Sequence, residues 1–135
     1  MSTLWWRGEE YPELGVDTLL GKTLVGVDVN EDKDVIEFTT DDGSVYRMFH
    51  DQGCCEDVRV EDIEGDLQDL IGSPIILAEE STSEEAQPGQ EVTPYTDSFT
   101  WTFYRLATAR GFVSIRWYGE SNGFYSESVS FIKTK

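Results

Sequence analysis

Phe99–Lys133 reads FTWTFYRLATARGFVSIRWYGESNGFYSESVSFIK, and its turn residues decide the fold. Three β-rich runs, Phe99–Thr108, Phe112–Glu120 and Phe124–Lys133, are separated by Ala109-Arg110-Gly111 and Asn122-Gly123. Asn-Gly accepts the positive φ values of a type I′ turn, and a three-residue link ending in Gly suits a bulged hairpin. Both predict an antiparallel meander. With Thr108 set opposite Phe112, Phe103 falls across from Trp117 and Tyr104 across from Arg116. With Ser121 opposite Phe124, Tyr118 falls across from Glu127 and Glu120 across from Tyr125. Period-2 alternation then puts Phe99, Trp101, Phe103, Val113, Ile115, Trp117 and Ile132 on a core face. Thr100, Thr102, Tyr104, Arg116, Tyr118, Glu120, Tyr125 and Glu127 share the opposite face.

Upstream, Asp34–Thr40 and Ser44–His50 flank Asp42-Gly43, a second type I′ hairpin signal. Lys22–Val29 alternates as a strand, and Ile75–Glu79 is another. Val58, Val60 and Ile63 mark buried contacts in Cys55–Ile63. Val16–Leu20 is a helical turn closed by Gly21. In Glu64–Ile71, Leu67, Leu70 and Ile71 lie at helical spacing, and Gly72 and Pro74 end the element. The expected class is α+β: mainly antiparallel β-sheet with one or two short helices. Residues 1–135 form a single domain, with 1–14 as an N-terminal arm carrying Trp5, Trp6 and Tyr11. Residues 80–96 are a mobile acidic loop, being almost free of apolar side chains.

With 17 aromatics in 135 residues (4 Trp, 6 Tyr, 7 Phe), the chain is no disordered acidic polymer. Its 27 acidic against 10 basic side chains leave a net charge of −17, which repels nucleic acid and anionic membrane. A basic protein partner fits that charge better, including one whose nucleic-acid groove the chain would occupy as a mimic. No run is apolar enough to span a bilayer, and Met1–Tyr11 lacks a basic start followed by an apolar stretch, so a cytoplasmic chain is expected. Cys54 and Cys55 are adjacent, a geometry poorly suited to a structural staple, and are expected as reduced, partly buried thiols. One histidine, His50, leaves no Cys/His zinc spacing. No cofactor or metal is implied.

The Tyr104–Tyr125 face combines stacking rings, an Arg fork and carboxylate acceptors, as a polar ligand site requires. Its candidate residues are Tyr104, Arg116, Tyr118, Glu120 and Tyr125, joined by His50 and Gln52 from the polar turn His50–Glu56. Arg47 is a further candidate donor for a phosphate by residue type. The alternative is a solvated face on which Arg116 pairs with Glu120 or Glu127. An open face needs a cover, from the Trp5-Trp6 arm or from a second subunit in a homo-oligomer. A thiol nucleophile has little support, because adjacent strand residues point apart and the acidic field favours the neutral thiol. Calcium loops, phosphate-cradling Gly runs and the G-x-S-x-G nucleophile turn are missing, so nothing marks an enzyme.

Two stretches carry a resemblance. One is Phe49-His50-Asp51-Gln52-Gly53-Cys54-Cys55-Glu56 with Gly65–Ile75 and Ala78-Glu79-Glu80; the other is Trp101–Tyr104 with Ile115–Glu127. From about Leu20 to Phe131 the chain resembles a family of small uncharacterised proteins encoded by bacteriophages and some bacteria. The resemblance implies an origin more than a mechanism, since the family carries no established activity; small phage proteins without a catalytic motif often act by binding, here in the host cytoplasm. The first reading is a non-enzymatic protein that sequesters a small polar or nucleotide-derived host defence signal. The alternative is an acidic nucleic-acid mimic that inhibits a basic host protein; a small hydrolase using His50 has the least support.

Overall fold

In the computed structural model, residues 3–51, 53, 55–85, 98–123 and 126–135 are described. Chain order runs β1 (Thr3–Trp6), β2 (Glu9–Pro12), a 3-10 turn at Val16–Leu19, β3 (Leu24–Val29), β4 (Val35–Thr40), β5 (Val45–Phe49) and β6 (Asp57–Glu64). A second 3-10 turn, Leu67–Leu70, precedes β7 (Leu77–Ser83), β8 (Ser98–Thr108), β9 (Gly111–Ser121) and β10 (Ser130–Lys133). β1 and β2 form a two-stranded ribbon. The others make two four-stranded sheets, ordered β10-β5-β4-β3 and β6-β9-β8-β7, with antiparallel neighbours throughout.

Alternation along the strands gives each sheet one apolar stripe. Ile36, Phe38, Tyr46, Met48 and Phe131 of the first sheet share a buried cluster with Val58, Val60, Tyr104, Leu106, Val113, Ile115 and Trp117 of the second. Trp117 has no exposed surface, and its indole N–H is satisfied across the gap by Met48 Sδ at 3.2 Å. Val16, Leu19, Leu70 and Ile75 join the same cluster.

The β8–β9 register differs from the expected one by one residue. Thr108 lies opposite Gly111, so Phe103 faces Arg116, Tyr104 faces Ile115 and Trp101 faces Tyr118. Ala109-Arg110 is a two-residue turn, stabilised by Thr108 Oγ1 accepting the Arg110 N–H at 3.1 Å. That bond makes Gly111 the first residue of β9 instead of a bulge. A one-residue slip exchanges the faces of a strand. Thr102, Tyr104, Leu106 and Thr108 are therefore buried with Val113, Ile115 and Trp117, while Phe99, Trp101 and Phe103 turn to the opposite face.

The meander also stops at two strands. Residues 126–129 form no strand, and β10 pairs with β5, where Phe131 stacks on Tyr46 at 5.6 Å and meets Phe38 edge-on at 6.0 Å. The aromatic trio in the first sheet captures the segment expected beside β9. The helix expected at Glu64–Ile71 shrinks to one 3-10 turn, because Glu64 still pairs with Ser114 and the chain bends at Gly65. So short a segment cannot offset the cost of α-helix nucleation. The fold is sheet-rich as expected, but no α-helix occurs among the described residues. Glu80–Ser83, expected in the acidic loop, extend β7 opposite Trp101–Tyr104. The charges suit an edge strand, where they oppose pairing with another chain. Residues 86–97 lie outside the described residues.

The Asp42-Gly43 hairpin forms, but with a three-residue link. Thr40 N–H bonds Ser44 O at 2.9 Å, and Gly43 alone takes a positive φ, +85°. Asp42 keeps a negative φ, which excludes type I′, because its carboxylate accepts the Thr40 hydroxyl and, at 3.0 Å, the Ser44 N–H. Those bonds hold the Asp42 carboxyl down to about 2, from an ordinary 3.8.

Two outcomes test this architecture. Tyr104→Ala is expected to destabilise by about 3–5 kcal/mol, as for other buried aromatics, and Phe103→Ala by less than half as much; the reverse order in urea unfolding would restore the bulged register. Asp42 has a folded pKa below its unfolded one, so its contribution is complete above about 3.8 and is lost as pH falls through about 2. Asp42→Asn is accordingly expected to unfold earlier than the parent at neutral pH, the two curves converging in acid. A constant gap would assign the effect to something other than the carboxylate.

Candidate functional site

The outward face of the second sheet carries three of the expected site residues. β6, β9 and β8 align Arg59, Tyr118 and Trp101 in one row and Asp62, Arg116 and Phe103 in the next. The Tyr118 ring meets Trp101 at 4.8 Å and Phe99 at 6.3 Å, and the Arg59 guanidinium lies 5.4 Å from its centroid. Arg116 sits over Trp101 at 5.0 Å and reaches Asp62 at 3.7 Å, in place of the expected Glu120 or Glu127. Tyr118 donates to Glu120 at 3.0 Å. Burial, then that bond and the Glu120 charge, push its phenol up to about 12, so it remains a neutral donor. Arg116, Tyr118 and Glu120 do come together, but as one another's neighbours and those of Trp101 and Asp62.

Tyr104 does not join them. It is 2% exposed on the inner face, and it donates its hydroxyl to Glu80 at 2.8 Å. Burial raises its pKa first, and the Glu80 charge adds to the rise. Gln52 and Tyr125 lie outside the described residues.

His50 belongs to a third location, at one end of the core. It follows the inward-facing Tyr46 and Met48 by the strand period, and its side chain is 4% exposed. Nδ1 lies 2.7 Å from the Ser128 carbonyl, which can only accept, so Nδ1 carries the proton. Nε2 is then directed toward Glu56 Oε1 at 3.4 Å, and the Glu56 side chain is 1% exposed. Beside them, Glu127 accepts the Thr100 hydroxyl at 2.8 Å and the Ser121 hydroxyl at 2.5 Å. Hydroxyl donors satisfy this buried carboxylate, which makes the cluster a polar plug for the sandwich. Among the described residues, no group of three or more His, Cys, Asp or Glu is placed to hold a metal ion. Cys55 departs from the expected reduced, partly buried thiol: it is exposed and disulfide-bonded.

The cleft with the clearest ligand chemistry was not among the expected sites. Arg7 and Gly8, at φ +48° and +82°, make a type I′ turn that folds the N-terminal arm into the β1–β2 ribbon. Its pairing puts Leu4, Trp6, Glu9 and Tyr11 on one face. Trp6 meets Phe49 edge-on at 5.0 Å, and the guanidinium carbons of Arg7 and Arg47 lie 5.3 and 5.1 Å from its ring. Arg47 bonds the Thr134 hydroxyl and pairs with Glu37 at 2.8 Å. Between ribbon and sheet is a cavity of about 370 Å³ lined by Trp6, Arg7, Glu9, Tyr11, Arg47 and Lys135, with Val45 and Thr134. Tyr11 donates to Glu9 at 2.7 Å, and this bond raises its pKa. The available signal was Gly8 between two short alternating segments, which marks a hairpin before any periodicity can be counted.

The position of Glu127 gives a direct test. A methyl group at Gly119 would meet Glu127 O at 2.8 Å, Glu127 Cβ at 3.0 Å and Val58 Cγ2 at 3.1 Å. Gly119→Ala is expected to cost about 1–3 kcal/mol by overpacking, read by urea unfolding. A neutral result would remove Glu127 from its seat on β9.

No curated protein and no solved structure matches the chain. A family model described as a domain of unknown function (DUF7448) matches residues 17–131, and the chain belongs to that family.

Proposed function

We propose that the chain is a non-enzymatic binding protein that captures a small polar anion in the Trp6–Arg47 cleft and so removes it from solution. The observation that carries this reading is a local reversal of charge. In a chain of net charge −17, Arg7, Arg47 and Lys135 line one cleft in which Glu9 is the single acidic side chain, and Arg47 is paired with Glu37 behind it. The overall field repels an anion at long range but is screened beyond roughly 10 Å at ordinary salt, so the cations nearest the ligand dominate once it arrives. The cleft also has the concave, partly apolar character of small-molecule sites.

The Arg116–Tyr118–Glu120 face supports capture less well, since its charges and rings are already engaged with one another. The resemblance to phage-encoded proteins supplies a biological setting: sequestration of a signal on which a bacterial host relies. The cargo is then a small organic anion, of which nucleotide-derived signals are one kind.

Native mass spectrometry of the chain after incubation with a bacterial lysate tests the reading. A small-molecule adduct is expected on the parent and is expected to be lost in Arg7→Gln, whose side chain is exposed and leaves the unfolding midpoint nearly unchanged. An adduct that persists in Arg7→Gln would displace the site from this cleft. Recovery of a basic protein without any small molecule would favour the acidic inhibitor.

A further inference from the structure

We infer that the cargo of the Trp6–Arg47 cleft is a phosphate monoester with hydroxyl groups on its organic part, an inference that rests on the cleft being the binding site. Its first support is the charge inventory. Arg47 shares its charge with Glu37 at 2.8 Å, whereas Arg7 and Lys135 have no carboxylate partner among the described residues. With the Glu9 carboxylate counted, the lining keeps one net positive charge, carried on two separate cationic heads that call for an anion with several acceptor oxygens. A phosphate monoester carries about −1.5 to −2 charges at neutral pH and presents three acceptor oxygens. The guanidinium fork of Arg7 matches two of those oxygens, and the Lys135 ammonium serves as a point charge for the third. A carboxylate presents two oxygens, both taken up by the guanidinium fork, and leaves none for the ammonium.

The second support is the opposite polarity of Glu9. Its Oε2 accepts the Tyr11 hydroxyl at 2.7 Å, and Oε1 has no partner among the described residues. Glu9 is exposed in the cleft, and its carboxylate can accept from a ligand hydroxyl, which adds no charge. Trp6 contributes by position rather than as a stacking platform. Its ring already contacts two guanidiniums and Phe49, so it orients Arg7 and Arg47 toward the cleft. The organic part consequently needs hydroxyl groups more than an aromatic ring.

Isothermal titration of the full chain with ribose 5-phosphate, ribose and inorganic phosphate tests the class. Ribose 5-phosphate is expected to bind and ribose to give no heat. Arg7→Gln and Lys135→Gln are each expected to weaken ribose 5-phosphate about tenfold or more, the effect of losing one charge-assisted bond. Glu9→Ala is expected to weaken ribose 5-phosphate but not inorganic phosphate. Affinity is expected to rise between pH 5.5 and 7.5, as the phosphate loses its second proton near pH 6. Equal binding of ribose and its phosphate, or indifference to both cation substitutions, would overturn the phosphate assignment. Should none of these probes bind while Arg7→Gln still loses a lysate-derived adduct, the class falls and the cleft stands. An adduct kept by Arg7→Gln removes both.

Discussion

The cross-strand register of β8 and β9 is the constraint on which the rest of the structure depends. These strands pair without interruption from Ser98↔Ser121 to Thr108↔Gly111 and occupy the middle of the second sheet. Their register directs Tyr104, Leu106, Ile115 and Trp117 inward, and so determines which surface the first sheet covers. It leaves Phe99, Trp101, Arg116 and Tyr118 to organise the other side. Trp101 and Tyr118 are 5% and 8% exposed there, outside the main cluster, so both faces of this sheet hold buried aromatics. Several polar groups enter the interior with partners, as at Glu127 with Thr100 and Ser121 and at Trp117 with Met48, whereas His50 Nε2 and Arg116 Nε are buried without a hydrogen bond.

Most of the strand content was legible because turn residues and alternation are local signals. Asp42-Gly43 located its hairpin, and Val16–Leu20 and Gly21 located a helical turn. What failed was pairing, which is not local. The link between β8 and β9 has two residues or three depending on a side-chain bond from Thr108 to the Arg110 N–H, and the choice inverts every residue of one strand. Tyr104 moved to the core for that reason alone. β10 was read as part of a third meander strand with Ile132 on the core face; it spans only Ser130–Lys133, pairs with β5, and sends Phe131 into the cluster against Tyr46 and Phe38.

The candidate site was legible as residue chemistry and not as a place. Arg116, Tyr118 and Glu120 share a face as expected, but the same proximity lets them engage one another. His50 was expected beside them and instead closes the interior with Glu56. Arg47 was named as a phosphate donor, yet its neighbours Arg7 and Lys135 stand 40 and 88 positions away along the chain. Segments so distant meet through topology, which the alternation of any one segment does not encode.

The β1–β2 ribbon separates two traits that proteins often find coupled. Six of the eight residues lining the Trp6–Arg47 cleft fall outside residues 17–131, the extent of the shared domain, and only Val45 and Arg47 fall within it. The buried residues that hold the sheets together lie almost wholly inside that span. Substitutions at those six positions therefore change the lining of the cleft while leaving the residues that join the two sheets in place.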